Sequence, residues 1–249
     1  MTEGIKILLS DDQIFAVSKP PGIPFHGTGK EKGILQIIRE METEGKIQTP
    51  GRLYPVHRLD KITSGILIFA CGRKNANLLS NEFRHGRAEK YYAALSNRTP
   101  YKKKGRISGD MERGRNSTYI LTRNHNHPAI TFFQSFSLSK IEKGLRLYVV
   151  RPKTGRTHQI RVALKSISAP ILGDGLYSRF DLARKEERAY LHACALHIKL
   201  NEKHYWILDP PSGGKFDHPE FVKFWMKLGK PWDLDWPFDR KRIKSPSSK

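Results

Sequence analysis

Turn signals limit what this chain of 249 residues can fold into more than any other feature: twenty glycines and fifteen prolines recur between short apolar runs. That punctuation suits a strand-rich fold better than a helix bundle. IKILLSDDQIFAVSKPPG reads as two short strands, with Asp11 and Asp12 in the turn and Lys19-Pro20-Pro21-Gly22 closing the second. YPVHRLD and GILIFA read as strands around the turn KITSG, and KYYAALS, STYILTR, AITFFQSFSL and GLRLYVVRP as further strands. LHACALHIKL and KHYWILDPP make a late hairpin in the same reading. Helices are expected in GILQIIREM, where Ile34, Ile37 and Ile38 share a face, and in NANLLSNEFRHG. A last helix opens at Pro219, with Phe221, Phe224, Trp225 and Leu228 as its apolar stripe. The expected class is α+β, one domain over residues 1–230 on a large mixed, mainly antiparallel sheet with flanking helices. Asn97 to Asn116 reads as an exposed loop or mobile hairpin, and residues 231–249 as a basic, disordered tail.

Charge narrows the partner. Lysine and arginine number 45 against 24 acidic residues, so 45 − 24 leaves +21. Such a field attracts polyanions and opposes self-association, which points to nucleic acid as the partner and to a monomer. Lys102, Lys103, Lys104, Arg106, Arg113 and Arg115 crowd the polar central segment and are candidate phosphate contacts. The two cysteines, Cys71 and Cys194, form no CxxC and no Cys/His ligand spacing, so no zinc site is expected. No apolar run approaches the roughly 20 residues of a membrane helix, and the first residues carry no secretory pattern. The chain therefore reads as a soluble cytoplasmic protein with no membrane contact.

HRLDKITSG is the segment with the most chemistry in it. If VHRLD is extended, Arg58 and Asp60 share a face and Leu59 points to the other. Asp60 then stands where a strand meets a turn, a place from which a rigid scaffold can present a reactive group. Arg58 would favour the ionised carboxylate. The same pattern also suits an ordinary turn-capping aspartate paired with an arginine. Further along, Ile160, Ala163, Leu164 and Ile167 form an apolar helical face with His158, Arg161 and Lys165 opposite, which also describes a merely solvated side. Tyr91 and Tyr92 alternate across their strand, so one faces the core and one the other side.

HRLDKITSG closely resembles the signature of RluA-type pseudouridine synthases. Three more segments resemble that family in the same order: KPPGIPFH, EKYYAAL, and RPKTGRTHQIRVALKSISAPILGDGLY. The weaker pieces PAITFF and LHACAL also fit, so the resemblance covers most of Ile14 to Pro211. It implies an RNA-modifying isomerase of the pseudouridine synthase fold. It implies that Asp60 is the catalytic carboxylate and that Tyr92 packs on the target base. It implies that Arg161 pairs with the aspartate, by the two parallel hydrogen bonds a guanidinium can make. Arg58 matches an arginine that fills the space left by the extruded base. His57, Thr63, Ser64 and Gly65 look like supports for the loop. Lys19, His57, Arg156 and His158, with Lys102, Lys103, Lys104 and Arg106, complete the set expected to bind RNA or assist base flipping.

The pattern begins almost at residue 1, so the small RNA-binding domain that precedes some relatives is not expected. Ala163 stands where the family often has histidine. The chemistry involves no redox step and no phosphate activation, so no cofactor is expected. A carboxylate can act by a covalent adduct or by removing a sugar proton, and the residues do not choose between them. Two rival readings use the same residues. One is a non-catalytic RNA-binding protein. The other is a metal-free RNA phosphodiesterase using His57, His158 and Lys19 as acid and base.

Overall fold

The structure is a computed structural model that describes residues 4–29 and 31–237. In chain order its strands and helices begin with β1 (Lys6–Ser10), β2 (Ile14–Lys19), α1 (Ile34–Thr43), β3 (Leu53–Pro55), β4 (Ser64–Cys71) and α2 (Gly72–Arg84). They continue with β5 (Glu89–Ser96), β6 (Lys104–Gly109), β7 (Met111–Arg113), β8 (Tyr119–Leu121), β9 (Ala129–Ser137) and β10 (Arg146–Pro152). The last are α3 (Gln159–Ser166), α4 (Phe180–Ala183), β11 (Leu191–Leu200), β12 (Lys203–Leu208) and α5 (Pro219–Leu228). This is the α+β class expected, a large, mainly antiparallel sheet with helices. The described residues fall into two compact units. The first runs up to Ala88 and adds Leu196–Asp209; the second takes Glu89–Ala195 and the described residues from Pro210 on.

In the first unit β1, β2 and β4 form a run of antiparallel ladders, with β3 on β4. All eight residues of β4 are buried, as a continuous apolar run covered on both faces requires. Ile34, Ile37, Ile38 and Met41 of α1 are the buried face of that helix, at the spacing that predicts it. The Asp11 turn is tied at both oxygens. Oδ1 accepts the N–H groups of Gln13 and Ile14 at 2.9 and 2.8 Å. Oδ2 accepts from the Lys203 ammonium at 2.7 Å and the Tyr205 hydroxyl at 3.0 Å, which ties β12 to the turn. Burial alone would raise the Asp11 carboxyl, but Lys203 and the two N–H groups outweigh it and hold it below the ordinary 3.8. A depressed carboxyl stabilises the fold above its unfolded value and loses that contribution as pH falls through the folded one. Asp11→Ala is therefore expected to cost about 1–2 kcal/mol at pH 7. The gap from wild type should narrow as the pH falls below the ordinary 3.8 in thermal unfolding; a gap of the same size in acid would refute the pairing.

In the second unit β5, β10, β9 and β6 follow one another in antiparallel ladders. Here two expectations are adjusted. Of the exposed loop or mobile hairpin expected over Asn97 to Asn116, a hairpin forms in part, as β7 pairing with β8, while Lys104–Gly109 is a strand on β9. The turn of that hairpin places Asn116 and Ser117 at φ 52° and 58°, with the Thr118 N–H on the Arg115 carbonyl at 3.0 Å. The tail boundary is also too early. Trp232 and Trp236 are 8% and 6% exposed, and both pack on Tyr91. The rest of that predicted tail, 238–249, lies outside the described residues. α5 opens as expected, with Pro219 at its first position and the His218 side chain accepting from the Glu220 N–H.

Candidate active site

The strand expected over YPVHRLD stops at Pro55, and residues 56–60 have no regular ladder. Their alternation survives all the same: Arg58 is exposed, Leu59 is 4% exposed, and Asp60 is half-buried. The Asp60 carbonyl accepts from the Thr63 N–H at 3.0 Å, which closes the turn before β4 begins. Buried groups hold this turn from behind. Lys19, expected among the RNA contacts, is fully buried at the end of β2. Its ammonium donates to the carbonyls of Pro20, Ile23 and Lys61 at 2.8, 3.0 and 3.3 Å. The Gly22 N–H donates to the same Lys61 carbonyl at 2.8 Å, so KPPGIPFH and HRLDKITSG are clasped together. Lys19→Met keeps the length but strands these carbonyls, and is expected to cost about 2 kcal/mol. The melting temperature reports it; an unchanged value would refute the clasp.

His57 is likewise turned inward. Its Nε2 accepts from the Ile68 N–H at 3.0 Å, and its ring stacks on Phe83 with centroids 4.6 Å apart. An acceptor nitrogen carries no proton, so this contact fixes the tautomer. These contacts tie His57 to β4 and α2, and its Nε2 faces the Ile68 N–H and is not presented as an acid.

In the second unit, Tyr92 lies on β5 opposite Val150 and is 9% exposed. Tyr91, on the other face, is the packing residue of the pair. Its hydroxyl donates to Glu89 at 2.9 Å and the Arg151 guanidinium lies 5.6 Å from its ring. Arg151, 2% exposed in its side chain, also pairs with Glu89 at 2.7 Å. Burial pushes the ammonium of Lys90 below the ordinary lysine range.

Arg161 does not lie on a solvated face. Every residue of α3 from Gln159 to Leu164 is buried, and Arg161 is 5% exposed. Its Nε and Nη2 donate to the two carboxylate oxygens of Asp174 at 2.7 and 2.9 Å. Asp174 is fully buried, and its Oδ1 also accepts the N–H groups of Leu176 and Tyr177 at 3.0 and 3.3 Å. The Tyr177 ring lies 4.8 Å from the Arg161 guanidinium. Sequence reasoning missed Asp174 and Tyr177 as parts of this site, although both stand in the segment PILGDGLY that carries the resemblance. Gly173, beside them, has φ 77°, and a β-carbon there would sit 2.0 Å from the Arg188 carbonyl oxygen, so only glycine fits.

The turn before α3 is anchored by Gln159. Its Oε1 accepts from the Thr154 hydroxyl and the Arg156 N–H at 2.7 and 3.0 Å, and its Nε2 donates to the Ile130 carbonyl at 3.0 Å. This leaves the Arg156 residue exposed and His158 half-buried. Lys102, Lys103, Lys104 and Arg106 are exposed; Lys104 pairs with Asp235 at 2.9 Å. Arg113 and Arg115 are exposed on the hairpin of β7 and β8. Among the described residues no group of three or more His, Cys, Asp or Glu side chains is placed to hold a metal, and no helix is long and apolar enough to cross a membrane.

Comparison with known proteins sets these residues in a family. Residues 13–166 match the model of the RNA pseudouridylate synthase family. An uncharacterized RNA pseudouridine synthase of Haemophilus influenzae is 38% identical over 85% of this chain and 90% of its own length. The tRNA pseudouridine synthase C of Haemophilus ducreyi is 31% identical over 78% of this chain and 85% of its own. The ribosomal large subunit pseudouridine synthase C of Rickettsia conorii is 30% identical over 79% of this chain, which spans 63% of that relative. Among solved structures, human RNA pseudouridylate synthase domain containing 4 superposes with a TM-score of 0.66 at 25% identity, over 89% of this chain and 92% of that one. The match extends from the Asp60 turn through the strand of Tyr92 to the helix of Arg161, and the chain belongs to the RNA pseudouridylate synthase family.

Proposed function

We propose that this enzyme isomerises selected uridines of ribosomal or transfer RNA to pseudouridine, with Asp60 as the catalytic carboxylate. The observation that carries the reading is the build of the Asp60 turn. A half-buried carboxylate stands on a turn backed by two inward groups, Lys19 of β2 and His57, which are spent on carbonyls and a backbone N–H. Such a turn presents its carboxylate at a fixed place.

The reaction needs few groups. The bond between uracil N1 and the ribose C1′ breaks, the base turns, and C5 bonds to C1′. The C5 proton leaves to solvent and N1 gains one, so mass and chain length are unchanged. The base must leave its stack first, at a cost of a few kcal/mol. Phosphate contacts from Lys102, Lys103, Arg106, Arg113 and Arg115 offset that cost. Tyr92 serves as the flat surface for the base, and Arg161 as the cation that the resemblance assigns to the reaction. Arg58, exposed two residues before Asp60, takes the space the base vacates. The protein works as a cytoplasmic monomer, since a net charge of +21 opposes self-association. The names of the relatives favour ribosomal and transfer RNA as targets. The inward-facing Nε2 of His57 disfavours the phosphodiesterase reading.

The test uses RNA tritiated at uracil C5. Release of label into water with RNA of unchanged length is expected; shortened RNA without release would overturn the assignment. Mapping pseudouridine in cells with and without the gene identifies the target, as sites that disappear from ribosomal or transfer RNA.

A further inference from the structure

We propose that Tyr177 is a positioning residue whose hydroxyl couples the hairpin of β7 and β8 to Arg161. The inference rests on the reading above, in which Arg161 serves the uridine reaction and the hairpin arginines hold RNA. Tyr177 is 3% exposed, and its hydroxyl joins two elements that are otherwise separate in sequence. Its oxygen accepts the Tyr119 N–H of β8 at 2.9 Å, and His158 Nδ1 lies 2.9 Å from the same oxygen. The imidazole tautomer sets which of the hydroxyl and Nδ1 donates in this second contact. The rings of Tyr119 and Tyr177 both meet His158 edge to face, at 5.7 and 5.6 Å.

Both ends of this bridge lead to functional groups. At one end, Tyr119 is the direct cross-strand partner of exposed Arg113 in the β7–β8 ladder. A phosphate held by Arg113 therefore acts on the residue pair whose N–H reaches Tyr177. At the other end, the Tyr177 ring lies beside the Arg161 guanidinium, and its own N–H donates to Asp174, the carboxylate that holds Arg161. His158 caps α3 at φ 57°, a left-handed conformation that a residue other than glycine keeps only when its surroundings hold it there. The Tyr177 hydroxyl is one of the groups that hold it. Occupancy of the hairpin by RNA is thus linked to the setting of the first turn of α3, which carries Arg161.

The test is a double-mutant cycle of Arg113→Ala and Tyr177→Phe, read as kcat and KM for tritium release from structured RNA. Tyr177→Phe keeps the ring beside Arg161 and removes only the bridge. It is expected to lower kcat about tenfold, with KM changed less than about twofold. Arg113→Ala should raise KM and lower kcat in the wild-type background. In the Tyr177→Phe background it should raise KM alone, a coupling in kcat of at least about threefold. Additive effects on kcat, or an unchanged kcat in Tyr177→Phe, would overturn the proposal. If Tyr177→Phe does not fold, His158 gives the answer. His158→Asn tolerates the left-handed conformation and offers an amide, as donor or acceptor, near the place of Nδ1, so it should keep more kcat than His158→Ala; equal losses overturn the coupling. A wild-type protein that releases no tritium would take down the uridine reading and this one together. Additivity with an active wild type takes down the coupling alone.

Discussion

Asp60→Asn is expected to reduce tritium release by about 10⁴-fold or more, the scale on which a residue that makes or breaks a covalent bond is lost. Asparagine keeps the shape and volume of the side chain and removes its charge. The backbone carbonyl that closes the turn on the Thr63 N–H is untouched, and so are the contacts of Lys19 and His57 beneath it. The melting temperature should therefore stay within about 2 °C and RNA affinity within about threefold, since phosphate contacts dominate binding. Loss of release by a folded, RNA-binding variant separates a catalyst from a turn-capping residue, the two readings that HRLDKITSG alone leaves open. A variant that keeps a tenth of the wild-type rate would remove Asp60 from the chemistry.

Asp174→Ala should have the largest effect on stability. It leaves the Arg161 guanidinium buried without the carboxylate that takes its Nε and Nη2, and removing one partner of a buried pair costs about 3–5 kcal/mol. For a chain of this size that lowers the melting temperature by roughly 10 °C. Release of tritium should fall with it, because the guanidinium loses its fixed plane. Stability and function can be told apart by removing both charges. Arg161→Met with Asp174→Leu takes away the desolvation cost along with the pair and should recover most of the lost stability. It should not recover activity. A double variant that regained tritium release would show that Arg161 has no part in the reaction.

Much of the architecture was legible in the chain. The apolar run of β4, the spacing of Ile34, Ile37 and Ile38, and Pro219 ahead of α5 are local signals, and each corresponds to the element observed. Period-two alternation also sorted Tyr91 from Tyr92 into opposite faces, though only the packing of Trp232 and Trp236 says which face Tyr91 takes. What local pattern missed shares one cause. β6 is a basic, polar strand that exists because β9, some 25 residues on, offers it a ladder, so it has no apolar period of its own. The buried tryptophans past residue 230 sit in a stretch whose charge and prolines read as a tail. Asp174 lies 13 residues from Arg161, beyond any helical spacing that would pair them.

The sequence by itself determined where most strands and helices form, and which carboxylate stands in HRLDKITSG, because turn chemistry and side-chain period act over a few residues. The tertiary structure alone decided what the charges do. Lys19 and Arg161 look like surface cations in the chain and are buried, each matched by oxygens from elsewhere in the chain. A charge buried without a partner is too costly to keep, so its role is set by the groups that folding brings to it. For Asp60 that means a turn held from within by Lys19 and the Lys61 carbonyl, a contact no spacing along the chain announces.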